Sequence, residues 1–202
     1  MIILGCDKKK GQNHATLYGQ ATITLCLLTL VVALSGCFHS VGIPEERYER
    51  AEELVEQGIG LLREERLDDA EASFSMAYDL APLAAALDGE GCVALLRGEM
   101  ELAEGFFRKA YESDRTYGEA LANLAILMDI TGRHREAMQL YTSYLEQYPD
   151  GVRARNNRAA LEYDMGGSKI WVSQELAKAA LLSEDSVIRD NLTNLGRAPK
   201  AQ

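Results

Sequence analysis

Residues 84–117, AAALDGEGCVALLRGEMELAEGFFRKAYESDRTY, and residues 118–151, GEALANLAILMDITGRHREAMQLYTSYLEQYPDG, have the same length and place small, aromatic and turn residues alike when one is written beneath the other. Outward from this pair, Ala70, Ala103 and Ala137 recur at spacings of 33 and 34 residues, a period that belongs to helical repeat architectures. Setting these alanines at place 20 divides the chain into units 51–83, 84–117, 118–151 and 152–185. Place 4 then reads Leu54, Leu87, Leu121 and Arg155, and place 8 reads Gly58, Gly91, Ala125 and Ala159. Place 15 reads Glu65, Gly98, Gly132 and Gly166, place 24 reads Phe74, Phe107, Tyr141 and Glu175, and place 32 reads Pro82, Arg115, Pro149 and Ser183.

The pattern has a physical reading as two helices per unit. Small residues at places 8 and 20 let paired helices approach closely, and the aromatic residue at 24 fills the space between pairs. Glycine at 15 ends the first helix in a left-handed turn, and proline near 32 stops the second. Ala, Leu and Glu dominate the composition and only four prolines occur, which favours helix over sheet. Helices are expected from about Pro44 to Arg63, then over 67–79, 84–96, 100–113, 118–130, 134–147, 152–165 and 169–182, with a final one from Ser186 to Leu195.

These residues resemble the tetratricopeptide repeat over about 135 positions. The resemblance implies an all-α, right-handed α–α superhelix of three to four helix pairs plus a C-terminal capping helix, occupying 44–195. Departures gather in the fourth unit, where Arg155, Arg158 and Glu162 take places normally buried and Trp171 takes that of the alanine. Three sound repeats and a diverged fourth are therefore expected. Glu65 at the turn glycine, Arg115 at the proline and Tyr144 at an alanine place are isolated departures.

Residues 21–36, ATITLCLLTLVVALSG, carry no charge and follow Lys8, Lys9 and Lys10, the basic-then-apolar order of an export signal. The apolar core from Ala21 to Leu34 has 14 residues, against the roughly 20 that a helix needs to cross a bilayer, so a cleaved signal is favoured over a permanent anchor. It ends in Leu34-Ser35-Gly36-Cys37, which resembles the lipobox of bacterial lipoproteins. That resemblance implies removal of residues 1–36, lipidation at Cys37 with several acyl chains such as palmitate, and a short tether over 37–43. Multiple chains are needed because one alone anchors only marginally. Phe38, standing where aspartate would favour inner-membrane retention, implies the outer membrane and a domain facing the periplasm. Residues 196–202 are expected to be a frayed tail.

The net charge is −10; residues 1–37 carry +2, from Asp7 against the three lysines, which leaves −12 on the remainder. So acidic a body repels phosphate backbones, and no basic stripe offsets it, which argues against nucleic-acid binding. Of the cysteines Cys6, Cys26, Cys37 and Cys92, only the last lies in the repeats, so no disulfide framework is available there. Gly89-Glu90-Gly91-Cys92-Val93-Ala94 fits a loose dinucleotide fingerprint but falls inside an expected helix with no strand before it. Phosphate-loop, H-E-x-x-H, C-x-x-C, S-x-x-K and G-x-S-x-G patterns are absent, and only His39 and His134 follow the signal. No catalytic residue, cofactor, metal or small-molecule substrate is expected, and Cys92 reads as a small apolar residue.

In the tetratricopeptide family the inner wall comes from the first helix of each pair. Here that implies a groove of Val55, Ile59, Leu62, Cys92, Leu95, Leu96, Ala122, Ile126 and Ile130, with Asn123 and Asn157 as polar contacts and Arg63, Asp129, Arg153 and Asp164 as additions. A mostly apolar wall calls for a partner helix or peptide, or for cover by the chain itself. Val55 and Ile59 replace the polar residues with which some members grip a C-terminal carboxylate. Asn156-Asn157-Arg158-Ala159 resembles the paired-asparagine helix start of the repeat lipoproteins of tight-adherence pili. The chain is similar to them in plan, and also to pilotin-type lipoproteins. A protein-binding adaptor or assembly factor of the envelope is expected; a periplasmic holdase with many clients and a regulatory subunit of an envelope enzyme are the alternatives.

Overall fold

The computed structural model describes residues 42–195. Among them are nine helices and no strand: α1 (Glu45–Arg63), α2 (Leu67–Leu80), α3 (Ala84–Leu96), α4 (Met100–Ser113), α5 (Gly118–Ile130), α6 (His134–Gln147), α7 (Val152–Asp164), α8 (Lys169–Leu182) and α9 (Ser186–Leu195). Consecutive helices pair as α1/α2, α3/α4, α5/α6 and α7/α8, each pair packs on the next, and α9 lies against α8. This is the expected all-α stack of helix pairs with a terminal cap.

Each pair is closed by the same turn. The amides of Arg66, Glu99, Arg133 and Gly167 donate to the carbonyls of Leu61, Ala94, Met128 and Glu162, five residues back, at 2.8–3.0 Å. The residue before each donor adopts a left-handed φ: Glu65 at 60°, Gly98 at 80°, Gly132 at 77° and Gly166 at 80°. The double hydrogen bond of this cap satisfies carbonyls that the helix end leaves open. Glu65 is held in that conformation although it has a Cβ, because its neighbours in the turn are fixed by the same bonds.

Place 24 supplies the core. Phe74, Phe107 and Tyr141 are almost fully buried, together with the place-20 alanines Ala70, Ala103 and Ala137. Phe74 is clasped by glycines from two helices: a Cβ on Gly58 of α1 would come within 2.6 Å of its ring, and one on Gly89 of α3 within 2.4 Å. Gly91 stands likewise against Phe107, at 2.5 Å. The glycines of the apparent dinucleotide fingerprint are thus helix-packing positions in α3.

The fourth pair is built differently. Glu175, with a side chain only 5% exposed, receives Arg155 Nη1 at 2.6 Å and Arg158 Nη2 at 2.8 Å on Oε2, and Lys178 Nζ at 2.7 Å on Oε1. Arg158 also lies over the Trp171 ring, 5.1 Å from its centroid. Behind this network Val172, Leu176, Leu192 and Leu195 form a small apolar cluster. Asn191 of α9 donates to Asn156 Oδ1 of α7 at 3.0 Å, tying the terminal helix across the last pair. The helix pair of the diverged unit persists because charge pairing stands in for the missing aromatic residue.

Candidate protein-binding groove

The first helices α1, α3, α5 and α7 touch one another in series, so they line the inner wall, and the second helices stand outside them. By the resemblance to tetratricopeptide repeats, places 2, 5, 9, 12 and 13 of each first helix are the ones expected on that wall.

Along the wall the apolar residues are graded in exposure. Val55 is 7% exposed and belongs mainly to the packing beneath the surface. Ile59, Leu62, Cys92, Leu95, Ala122 and Ile126 are half-buried. Leu96 and Ile130, at the ends of α3 and α5, are 61% and 58% exposed. Half-buried Cys92, Leu95 and Ile126 rest on the core formed by Phe107, Leu124 and Tyr141. Burial pushes the Cys92 thiol up to about 12, helped by the Asp88 carboxylate, so the sulfur stays protonated and behaves as an apolar surface atom.

The two asparagines expected to face a partner are engaged within the protein. Asn123 Nδ2 donates to both carboxylate oxygens of Asp88 at 3.0 Å and approaches Cys92 Sγ at 3.6 Å. Asn157 Oδ1 accepts from Asn156 Nδ2 at 3.3 Å. Each is thus engaged with a neighbouring side chain within the stack. Among the polar additions, Asp129 Oδ1 lies 3.2 Å from His134 Nδ1, while Arg63, Arg153 and Asp164 are exposed. Cys37 and His39 lie outside the described residues.

Sequence reasoning missed Asp88. It is 6% exposed and lies on the inner side of α3, where Tyr117 Oη donates to its Oδ2 at 3.2 Å. Burial pushes its carboxyl up to about 6 against the pull of Asn123 and Tyr117, with Glu119 adding repulsion. The same burial, with Asp88 next to it, raises the Tyr117 phenol. A signal was present: Asp88 stands at place 5, where the adjacent units have Val55 and Ala122. Near it a cleft of about 390 Å³ between α1 and α3 is lined by Glu52, Val55, Glu56, Ala85, Asp114 and Tyr117. Among the described residues no group of three or more His, Cys, Asp and Glu side chains is placed to hold a metal.

Fold and wall together define a protein of the tetratricopeptide-repeat architecture, a helical scaffold with a half-apolar inner face. A family model described as the coatomer epsilon subunit matches residues 65–156. Among solved structures the chain is similar to PilF of Pseudomonas aeruginosa, at 21% identity over 75% of this chain and 69% of that one, with a TM-score of 0.68. It is similar to a thermophilic tetratricopeptide protein of Thermus thermophilus, at 17% identity over 72% and 80% of the two chains, TM-score 0.63. It also matches the first tetratricopeptide domain of Spaghetti (RPAP3) bound to the HSP90 peptide SRMEEVD, at 18% identity over 59% and 96%, TM-score 0.53. At these identities the likeness is one of fold.

Proposed function

We propose that this chain is a lipid-anchored adaptor or assembly factor of the bacterial envelope, whose inner wall holds a segment of another protein while Cys37 ties it to a membrane, by preference the outer one. The observation that carries the binding half is the run of half-buried and exposed apolar side chains on the first helices, ending in Leu96 and Ile130 at 61% and 58% exposure. Apolar strips of this kind on monomers are interaction surfaces far more often than idle ones. Binding through such a wall, and not catalysis, is the reading supported by a fold shared with a repeat domain that holds a peptide. The anchoring half rests on Leu34-Ser35-Gly36-Cys37 at the end of an apolar run. Its likeness to the lipoproteins of tight-adherence pili, alongside the similarity in fold to PilF, favours a pilus or secretion machine as the setting.

A photo-crosslinking residue at Ile126, in the full chain expressed in its native envelope, tests this reading. One dominant adduct supports the adaptor, a spread of many clients supports a holdase, and adducts only within the chain mean that the groove is self-filled. Replacing Cys37 by serine should release the protein from sedimenting membranes; retention on them would remove the lipid anchor from the reading.

A further inference from the structure

We propose that the segment held in this groove is a basic amphipathic one, which seats a Lys or Arg side chain in the cleft beside Tyr117 and lays an apolar face along α3 and α5. The inference rests on the groove reading above and adds the chemistry of the partner.

Its first support is the charge carried by the inner wall beside the cleft. Away from the inner wall of the first three pairs, several carboxylates are paired with arginines: Arg97 reaches Asp68 at 2.6 Å and Glu71 at 2.8 Å, and Arg133 reaches Glu104 at 2.7 Å and Glu136 at 2.6 Å. Arg66 and Arg108 likewise bind Asp69 and Glu104, each at 2.7 Å. On the inner wall, Glu52, Glu56, Asp88 and Glu119 form no salt bridge among the described residues, Asp88 being held only by the neutral Tyr117 and Asn123. These four carboxylates give the wall beside the cleft a negative charge with no cation set against it among the described ion pairs, so it repels an acidic segment while drawing in a basic one.

The second support is the shape of the cleft. Its lining joins Val55, Ala85 and Tyr117, which suit the aliphatic stem of a long cationic side chain, to the carboxylates of Glu52, Glu56 and Asp114, which suit the charged head. Lysine and arginine are divided in this way, with apolar methylenes below a charge, and an aromatic face adds cation–π attraction. Beyond the cleft the wall turns apolar through Cys92, Leu95, Leu96, Ile126 and Ile130. Neighbouring helices pack about 8–10 Å apart, so the distance from α1 to α5 is about 20 Å, the length of a helix of about 13 residues at 1.5 Å per residue. The occupant is thus three to four helical turns long, with its basic anchor at the α1 end.

The test uses the full chain with the crosslinker at Ile126 in the native envelope, comparing the parent with Glu52→Lys/Glu56→Lys, with the milder Glu52→Gln/Glu56→Gln, and with Glu101→Lys as a control. Glu52, Glu56 and Glu101 are all exposed, so the fold tolerates these changes, which matching thermal melts of the purified chains verify. The expected result is a loss of adduct of at least about ten-fold in the double lysine variant and a smaller loss in the glutamine variant. The control should match the parent, and the adduct peptide should contain Lys or Arg beside apolar residues. An adduct peptide that is acidic or uncharged, or yields indifferent to Glu52 and Glu56, or equal losses in the Glu101 control, would overturn the proposal while leaving the groove in place. If the parent gives no adduct with another protein at Ile126, the groove reading itself fails and takes this one with it.

Discussion

Arg155 and Glu175, joined by a 2.6 Å ion pair inside the fourth helix pair, occupy the two places that the earlier units fill with leucine and an aromatic ring. The departures are thus one coordinated exchange: where Phe74 meets apolar neighbours, Glu175 meets Arg155, Arg158 and Lys178. Burial alone would raise the Glu175 carboxyl, but the hydrogen bonds from Lys178, Arg158 and Arg155 outweigh it and hold the group below the ordinary glutamate range.

Glu175→Ala should therefore be severe, because it leaves two guanidinium groups in a nearly dry site without a counter-charge. A loss of about 3–5 kcal/mol is expected. The combined change Arg155→Leu, Arg158→Ala and Glu175→Phe, which restores the pattern of the earlier repeats, should recover most or all of it, since well-packed apolar replacements of buried ion pairs are often neutral or stabilising. Chemical denaturation of the three proteins decides the matter. A triple variant no better than Glu175→Ala would mean that the charges are required for the packing itself.

Glu65 offers a test in the opposite direction. It takes a φ of 60° in a turn where the other three units have glycine. A left-handed conformation costs a residue with a Cβ about 1–2 kcal/mol. Glycine gives back part of that gain as chain entropy in the unfolded state, so Glu65→Gly should raise stability by about 1 kcal/mol or slightly less. An unchanged or lowered melting temperature would show that the Glu65 side chain contributes more than its backbone costs.

Most of the fold was legible because each repeat position has one dominant physical demand. An aromatic residue at 24, small residues at 8 and 20, and a left-handed turn at 15 each leave a mark on residue type, so α2 to α8 begin and end within about a residue of where the pattern places them. The inner wall was less legible. Place 6 gave Asn123 the look of a free polar contact, yet what it binds, Asp88, lies on a neighbouring helix. No regular spacing encodes that contact. The Arg155–Glu175 exchange was visible only as two separate defects, for the same reason.

Phe74 and its two glycines give a sharper test of the core. A methyl group on Gly89 would lie 2.4 Å from ring carbons of Phe74, and the ring is fully buried, so it has little room to withdraw. Gly89→Ala should cost at least about 1–3 kcal/mol as overpacking, despite the better helix propensity of alanine. Phe74→Leu alone should also destabilise, by leaving space between α1 and α3. The double variant should be less damaged than the sum of the two, with a coupling energy on the order of 1 kcal/mol or more. Strict additivity in that cycle would show that the ring is not what confines residue 89.

Asp88 makes the stability of the protein depend on pH in an unusual direction. Its carboxyl is pushed up to about 6 from an ordinary aspartate value of 3.8, chiefly by burial. Between those values the folded protein holds a proton that the unfolded chain has released, so protonation favours the fold. The contribution of Asp88 is therefore most favourable below about pH 4 and is lost as pH rises through 6, by about 3 kcal/mol in all at 1.36 kcal/mol per unit. Asp88→Asn removes the ionisable group and keeps an oxygen to accept from Tyr117. Asn123 can turn its amide to present an acceptor to the new side chain. The variant should thus be more stable than the parent at pH 7.5 and about equal to it at pH 4, a difference read from urea midpoints across that range. Other carboxylates, Glu104, Glu136 and Glu175 among them, are held low by arginines and act oppositely, but they are common to both proteins and cancel in the comparison. Parallel pH profiles for parent and variant would mean that the Asp88 carboxylate is solvated well enough to ionise at no cost to the fold.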